Sequence, residues 1–296
     1  MERLEAAMAK ARAARSKAAD PAQTRAPGVT PEEAAPSGTG TSIGASTGAS
    51  MAPNAAAANW LALPEIQIPE GLARRKRLTA LLGAEFSPPF DILRARVVRQ
   101  MQENRWTRLA VTSPTAQCGK TMVSLNLALS LARFGQLRVL LMDFDLRRPS
   151  IAATLDRQTT APTLIDLLQG RAGFADQAVR FGPNLAICAN RTTVRQSAEL
   201  LQNEATAGLL DRIEDEWQPD IMIFDTPPMR GNDDNLGFLP RVDCALIVAA
   251  AGSSTLPQID RCEQEVGALT NVLGTVLNKC RYPDSTTGYD NSYYYG

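Results

Sequence analysis

Short apolar segments alternate regularly along this chain with longer segments that have helical spacing. The helical segments cover residues 119–134, 197–217 and 257–269. This alternation predicts an α/β fold with a doubly wound, mostly parallel sheet and flanking helices, in which ligands bind at the carboxyl ends of the strands. The segments predicted to be buried strands, rich in Val, Ile and Leu, are 108–112, 138–144, 184–188, 220–224, 244–250 and 272–277.

The composition excludes several kinds of site. The 296 residues include no histidine, which rules out a Ser-His-Asp hydrolase and every His-ligated zinc or iron site. The five cysteines are scattered and form no CxxC pair, so we expect neither a disulfide framework nor a thiolate cluster, and we expect a reducing cytoplasm. Lys and Arg balance Asp and Glu at 31 each, and we therefore expect no nucleic-acid partner.

Composition also suggests four regions. Residues 1–19 are predicted to form an N-terminal helix, and 20–58, rich in Ala, Pro, Gly, Ser and Thr, a flexible linker. The predicted globular domain covers 59–280, and 281–296 form a tyrosine-rich tail. The N-terminus lacks the apolar core of a signal peptide, and the longest apolar run, 244–251, is too short to span a bilayer. We therefore expect a soluble, unprocessed chain.

The first predicted strand leads directly into a loop that ends in Gly-Lys-Thr, and an apolar helix follows. A phosphate-binding loop requires this context, because backbone N–H groups and the helix N-terminus hold the phosphates. Lys120 would reach the β and γ oxygens, and Thr121 would ligate Mg²⁺. Pro114 replaces the first Gly of the usual pattern, and Gln117 stands where many such loops have Gly. The predicted nucleotide-binding residues are Thr115, Ala116, Gln117, Cys118, Gly119, Lys120, Thr121 and Met122.

Three acids follow predicted strands. Asp143 and Asp145 leave the second strand on the same face, and Asp225 follows the strand 220–224. The carboxyl ends of parallel strands meet at one edge, so the three acids should lie close to the phosphate-binding loop. Because uncompensated carboxylates repel one another, this convergence predicts a Mg²⁺ ion among them.

The tyrosines are all near the end of the chain. Every one of the five lies within the last 15 residues, in a Gly-, Ser- and Asp-rich tail. Aromatic residues that serve packing would be distributed through the core. A tail of this kind beside a nucleotide site suggests that its hydroxyl groups accept phosphoryl groups.

With these motifs the sequence resembles the bacterial tyrosine kinases (BY-kinases) of capsule and exopolysaccharide systems, from about residue 80 to the end. Residues 113–121 resemble the Walker A motif of that family, 139–149 its Walker A′ motif with DxDxR, and 221–228 its Walker B motif. The resemblance implies a P-loop NTPase-like fold, and ATP and Mg²⁺ as cofactors. The implied catalytic residues are Lys120, Asp143 and Asp145; the implied metal-binding residues are Thr121, Asp145 and Asp225; and the implied phosphoacceptors are Tyr289, Tyr293, Tyr294 and Tyr295.

In this resemblance, Asp143 takes or orients the tyrosine proton, and Asp145 and Asp225 hold Mg²⁺ directly or through water. The resemblance also implies partners: a membrane-anchored polysaccharide co-polymerase that supplies an activating segment, a cognate tyrosine phosphatase and a homo-oligomer. The expected location is cytoplasmic and peripheral at the inner membrane, through the co-polymerase. The E-x-x-R-x-x-R motif that supports subunit rings in the family is incomplete, since Pro88, Asp91 and Arg94 stand at its three positions.

Two other functions remain open from the sequence. A non-kinase ATPase switch of the partitioning or cell-division type shares the fold and these loops. Such proteins usually carry a signature Lys early in the loop, where this chain has Thr115. An inactive ATP-binding regulator is the other alternative.

Overall fold

The computed structural model describes residues 53–135, 137–157, 163–231 and 233–280, all of which belong to one unit, Ser50–Gly296. The predicted N-terminal helix, the predicted linker up to residue 52 and the tyrosine-rich tail lie outside the described residues.

The described residues form a seven-stranded sheet with the strand order β3-β4-β2-β5-β1-β6-β7. Every neighbouring pair is parallel except β3 and β4, which are antiparallel. The predicted α/β fold with a mostly parallel sheet is therefore confirmed. The strands are β1 Arg108–Thr112, β2 Val139–Asp143, β3 Val179–Phe181, β4 Leu185–Cys188, β5 Ile221–Asp225, β6 Cys244–Ala250 and β7 Asn271–Asn278.

Helices cover both faces of the sheet, so β2, β4, β5 and β6 are buried at every residue. None of the helices in the described residues is both long enough and apolar enough to cross a membrane. The helices are α1 Pro53–Ala62, α2 Glu70–Arg75, α3 Pro88–Asn104, α4 Lys120–Phe134, α5 Ile151–Thr154, α6 Leu164–Leu168, α7 Phe174–Gln177, α8 Ser197–Gln202, α9 Glu204–Trp217, α10 Asp234–Phe238 and α11 Leu256–Gly267.

The sequence prediction of one helix over 197–217 was wrong, because the structure has two helices there. Asn203 interrupts the helix with extended backbone angles (φ −64°, ψ 135°). Its side-chain oxygen accepts a hydrogen bond from the backbone N–H of Ala205 at 2.9 Å and so caps α9.

The edge strand β3 was not predicted, because three residues are too few to show a period-2 pattern. Its Arg180 exchanges backbone hydrogen bonds with Pro64 and Ile66 at 2.9 and 2.8 Å, so the segment after α1 extends this edge of the sheet. The indole N–H of Trp60 donates a hydrogen bond to the Trp217 carbonyl at 2.8 Å and so attaches helix α1 to the end of helix α9.

Helix α1 begins before the predicted end of the linker at residue 58. Alanine has the highest helix propensity, so the run of alanines before Trp60 continues as helix where the sequence suggested a flexible tether. Trp60 is fully buried.

An aromatic cluster lies directly behind the strand ends that carry the predicted acids. The rings of Phe144, Phe224 and Phe238 have centroids 4.6–5.1 Å apart. Phe144 stands between Asp143 and Asp145 and is fully buried. Its packing fixes the backbone from which both acids project.

Candidate nucleotide and phosphoryl-transfer site

The loop between β1 and α4 has the backbone shape of a phosphate-binding loop. Gln117 and Gly119 have positive φ angles of 64° and 93°. Glycine is required at position 119 for a second reason, since a Cβ atom there would collide with the side chain of Asn278. Gln117 adopts the left-handed conformation without being glycine, which costs about 1 kcal/mol or more.

The end of β7 holds this loop from the side. Asn278 Nδ2 donates to the Cys118 carbonyl at 2.9 Å, and Lys279 Nζ donates to the Gln117 carbonyl at 2.7 Å. Neither residue was predicted from the sequence to belong to the site. The available signal was that Asn278 and Lys279 follow the last predicted strand, whose carboxyl end lies at the same edge as the loop.

Lys120 begins helix α4 and lies close to Asp145. Its Nζ is 3.9 Å from Asp145 Oδ2, and both side chains are almost entirely buried. Burial raises the pKa of Asp145, and the Lys120 charge opposes that rise. The structure therefore brings together two of the predicted catalytic residues.

Thr121 and Asp225 form a hydroxyl–carboxylate pair. The Thr121 hydroxyl donates to Asp225 Oδ2 at 2.5 Å, and the Ser124 hydroxyl donates to Asp225 Oδ1 at 3.2 Å. Burial raises the pKa of Asp225 to about 6, while the Lys120 charge and the Thr121 hydrogen bond oppose the rise. The predicted metal-binding residues Thr121 and Asp225 are therefore direct neighbours.

Asp143 lies beneath the cavity floor. One oxygen, Oδ2, accepts hydrogen bonds from the backbone N–H groups of Ser150 and Ile151, both at 3.0 Å. The other oxygen, Oδ1, is buried and has no hydrogen-bond partner among the described residues. Burial raises the pKa of Asp143 well above its usual range, and the charge of Asp225 raises it further. A buried acceptor without a partner is costly, and this cost points to a ligand or proton at this place.

These residues fit Mg²⁺ that arrives together with a nucleotide. Within the described residues, no group of three or more His, Cys, Asp and Glu side chains is arranged to hold a metal ion by itself. Mg²⁺ usually keeps several waters and takes one or two protein oxygens together with substrate phosphates. The free oxygen of Asp143, the carboxylate of Asp145 and the Thr121–Asp225 pair are oxygen donors of the required kind.

A cavity of about 620 Å³ opens over the loop. Asp145 lines it, whereas Asp143 and Asp225 are fully buried below its floor. The side chains of two predicted nucleotide-binding residues, Thr115 and Cys118, do not line the cavity. The lining residues are Ala116, Gln117, Gly119, Lys120, Thr121, Met122, Asp145, Arg147, Arg148, Ser150, Pro228, Arg230 and Gly231.

Cys118 packs away from the cavity. Its Sγ lies 3.5 Å from Thr115 Oγ1 and 3.6 Å from Ser254 Oγ. Burial raises the pKa of the Cys118 thiol, but the hydrogen bonds with Thr115 and Ser254 outweigh this effect and leave the pKa lowered.

Arg147, the arginine of the DxDxR motif, lines the cavity and forms ion pairs with two aspartates. Its guanidinium donates to Asp234 Oδ2 at 2.7 Å and to Asp233 Oδ1 at 2.6 Å. Ser197 Oγ donates to the other oxygen of the buried Asp234 at 2.6 Å. These partners were not predicted from the sequence, because they lie far from Arg147 along the chain.

Arg94 is the one residue that matches the E-x-x-R-x-x-R motif, and its side chain makes contacts within its own chain. Arg94 pairs with Asp91 at 2.8 Å, and its guanidinium lies 5.3 Å from the ring centroid of Phe134. Arg133 pairs with the same aspartate. The predicted homo-oligomer stays a prediction.

Comparisons with known proteins show which proteins this chain resembles. Residues 109–253 match the family model of an AAA domain. The chain is 30% identical over 236 residues to EpsB of Ralstonia solanacearum, named as a tyrosine-protein kinase, a match that covers 77% of this chain and 31% of EpsB. It is 27% identical over 206 residues to the tyrosine-protein kinase CpsD of Streptococcus agalactiae, which covers 69% of this chain and 88% of CpsD. The chain thus spans about a third of the length of EpsB and most of CpsD.

Among solved structures, the kinase domain of the Escherichia coli tyrosine kinase ETK is 25% identical, with a TM-score of 0.59, and the match covers 67% of this chain and 79% of that domain. The residues matched by the AAA-domain model, 109–253, include the phosphate-binding loop and the strands that carry Asp143 and Asp225. The P-loop architecture, the three motifs and the relatives together show that the P-loop domain of this chain is similar to the kinase domains of bacterial tyrosine kinases (BY-kinases).

Proposed function

We propose that this chain is an ATP- and Mg²⁺-dependent protein-tyrosine kinase that phosphorylates its own C-terminal tyrosines: Tyr289, Tyr293, Tyr294 and Tyr295. One observation carries the proposal. The end of β7 is bound to the phosphate-binding loop through the Lys279–Gln117 contact, so the segment that bears the tyrosines begins beside the loop.

The length of that segment is sufficient for the reaction. An extended chain spans about 3.3 Å per residue, so the ten residues from Lys279 to Tyr289 reach about 33 Å. This reach allows transfer to a tail of the same chain or of a neighbouring copy. The resemblance to the family favours the neighbouring copy.

The chemistry follows from the charges around the cavity. When bound, Mg²⁺ supplies charge neutralisation at the nucleotide phosphates. Lys120 and the backbone N–H groups of the loop hold and orient those phosphates. A tyrosine hydroxyl has a pKa near ~10, so it reacts faster when a carboxylate accepts its proton as the new O–P bond forms.

Two carboxylates lie where a tyrosine acceptor could reach the site, and they differ in access to the cavity. Asp145 lines the cavity and can contact an acceptor directly. Asp143 lies below it, with one oxygen unpartnered among the described residues. We assign to Asp143 the orientation and acceptance of the proton, and this role requires that the Ser150–Ile151 backbone above it moves when substrates bind.

The partners proposed for the chain follow the family. A membrane-anchored polysaccharide co-polymerase supplies an activating segment and places the kinase at the inner membrane in the cytoplasm. A cognate tyrosine phosphatase reverses the modification, and homo-oligomers bring tails to neighbouring sites. In this setting the kinase regulates the polymerisation and export of an exopolysaccharide or capsule.

A direct experiment separates the kinase from an ATPase switch. The purified chain is incubated with MgATP, and phosphorylated residues are mapped by mass spectrometry. We expect phosphate on the tail tyrosines and none in a variant with Tyr289, Tyr293, Tyr294 and Tyr295 changed to Phe. Release of inorganic phosphate from ATP without any phosphotyrosine would identify a switch instead.

A further inference from the structure

Three arginines are among the residues that line the cavity: Arg147, Arg148 and Arg230. Arg147 is already engaged by Asp233 and Asp234. The other two guanidinium groups are exposed and form no ion pair with any carboxylate of the described residues.

The backbone around Arg148 and Arg230 is fixed, although neither guanidinium group forms an ion pair within the described residues. The charge of Arg148 acts on Asp145 from a distance and opposes the rise of its pKa. The N–H of Arg148 donates to Asp145 Oδ1 at 3.1 Å. The N–H of Arg230 donates to the carbonyl of Pro114 at 3.3 Å, at the start of the phosphate-binding loop. Two arginines are thus anchored at the mouth of the site, one on each of the segments that follow β2 and β5.

A guanidinium group recognises carboxylates through paired hydrogen bonds and also stacks on aromatic rings. In the proposed function, Lys120 and the loop N–H groups would bind the nucleotide phosphates. Arg148 and Arg230 are therefore available to a second, anionic and aromatic ligand.

The tail sequence contains both the carboxylates and the aromatic rings that a guanidinium group recognises. In residues 282–296 the only charged side chains are Asp284 and Asp290, and all five tyrosines of the chain lie there. Asp290 follows the phosphoacceptor Tyr289 directly. With Tyr289 at the reacting phosphate, the Asp290 carboxylate would lie at the rim.

We propose that Arg148 and Arg230 form an acceptor-docking rim that selects tyrosines flanked by acidic residues, with the segment around Asp290 as its occupant. This inference rests on the proposed kinase function and adds the substrate class. The attraction is between charges near solvent, so docking should weaken as salt rises.

The test uses the full chain with its own Tyr289, Tyr293, Tyr294 and Tyr295 changed to Phe, so that added peptide is the acceptor. One peptide has the sequence of residues 282–296, and a second carries Asp284→Asn and Asp290→Asn. We expect the second peptide to have about tenfold lower kcat/KM. Arg148→Ala with Arg230→Ala should lower kcat/KM for the first peptide similarly, remove the difference between the peptides and leave the KM for ATP within about twofold.

Arg261→Ala is the matched control, because Arg261 is an exposed arginine on α11 outside the cavity and should have no effect. Thermal melting shows whether the double variant is folded; if it is not, Arg148→Gln and Arg230→Gln replace it. Undiminished discrimination between the peptides in the folded variant would overturn the proposal. A raised KM for ATP with unchanged discrimination would overturn it too, and would assign the arginines to the nucleotide.

Peptide binding separates this inference from the proposed function. The fluorescence anisotropy of labelled first peptide, measured at 50 and 300 mM NaCl without ATP, requires no phosphoryl transfer. Arginine-dependent, salt-sensitive binding without any tyrosine phosphorylation would support the docking rim while refuting the kinase assignment. Phosphorylation without any effect of the arginines on binding or kcat/KM would support the kinase assignment and refute the docking rim.

Discussion

Asp143 and Asp225 lie opposite each other in register at the ends of β2 and β5, and both carboxyl groups are fully buried. The raised pKa of each has burial as its largest cause, and the charge of Asp225 adds to the rise at Asp143. The ligand-free site therefore stores unfavourable electrostatic free energy that a bound cation would relieve.

Removing the Asp143 charge should lower the kinase activity and raise the stability of the ligand-free protein. We expect Asp143→Asn to lower phosphoryl transfer by about 10²- to 10⁴-fold, the usual contribution of an acid–base group. The same change should raise the melting temperature of the ligand-free protein by about 2–4 °C, the equivalent of about 1 kcal/mol. Calorimetry without nucleotide and a kinase assay measure the two effects. Wild-type activity in the variant would show that Asp143 is structural.

Asp166→Asn is the control, because removing the Asp166 charge should lower the melting temperature where removing the Asp143 charge raises it. Hydrogen bonds from Thr163 and the Arg171 side chain lower the pKa of Asp166 to about 2, so its charge stabilises the fold above the pKa of the unfolded chain. We expect this variant to melt at a lower temperature at neutral pH and to keep its activity.

The pH dependence of stability should show the raised pKa of Asp225. A carboxyl group with a higher pKa in the folded chain binds its proton more tightly there, so its contribution to stability is present at low pH and is lost as the pH rises from about 4 to about 6. The free energy of unfolding of Asp225→Asn minus that of the wild type should therefore increase over this window and stay constant above it. Urea unfolding at pH 4, 5, 6 and 7 measures the difference. A difference that is independent of pH would contradict the raised pKa.

Lys279 should support the nucleotide-binding shape of the loop. Lys279→Met keeps the aliphatic stem but removes the donor to the Gln117 carbonyl. We expect a five- to tenfold higher Kd for MgADP, which corresponds to about 1 kcal/mol for one hydrogen bond. Lys76→Met is the control, since Lys76 donates to the carbonyl of Ala153, outside the cavity lining, and should leave the Kd unchanged. Equal affinities of Lys279→Met and the wild type would show that the contact is incidental.

Gly119→Ala should damage the same loop more severely. The positive φ of 93° disfavours alanine, and its Cβ would displace the Asn278 side chain that holds the Cys118 carbonyl. We expect a loss of MgADP binding of at least tenfold in a protein that still folds, measured by calorimetric titration. Gly83→Ala is a suitable comparison, because Gly83 also has a positive φ but has open space around it. Equal losses in the two variants would exclude a specific role for the Asn278 contact.

Much of the fold could be predicted because each central strand is a continuous apolar run. The predicted strands 108–112 and 244–250 agree with the structure in both bounds. The convergence of Lys120, Thr121, Asp145 and Asp225 followed from the rule that the carboxyl ends of parallel strands share one edge.

Other features could not be predicted because they depend on tertiary contacts. The edge strand β3 is defined by pairing with β4 and Pro64–Ile66, which a three-residue sequence pattern does not reveal. The Lys279–Gln117 contact joins residues 162 positions apart. The two ion pairs of Arg147 are formed with aspartates that show no distinguishing sequence pattern.

The proposed kinase function requires Lys120 and the loop around it to hold the nucleotide from which phosphate is transferred to tyrosine. The most direct test compares phosphotyrosine formation in wild type and Lys120→Met during incubation with MgATP, using intact-mass spectrometry, with circular dichroism to verify folding. We expect added phosphate on the wild type and none on a correctly folded Lys120→Met. An unmodified wild type, or equal phosphotyrosine in the two proteins, would contradict the proposed function.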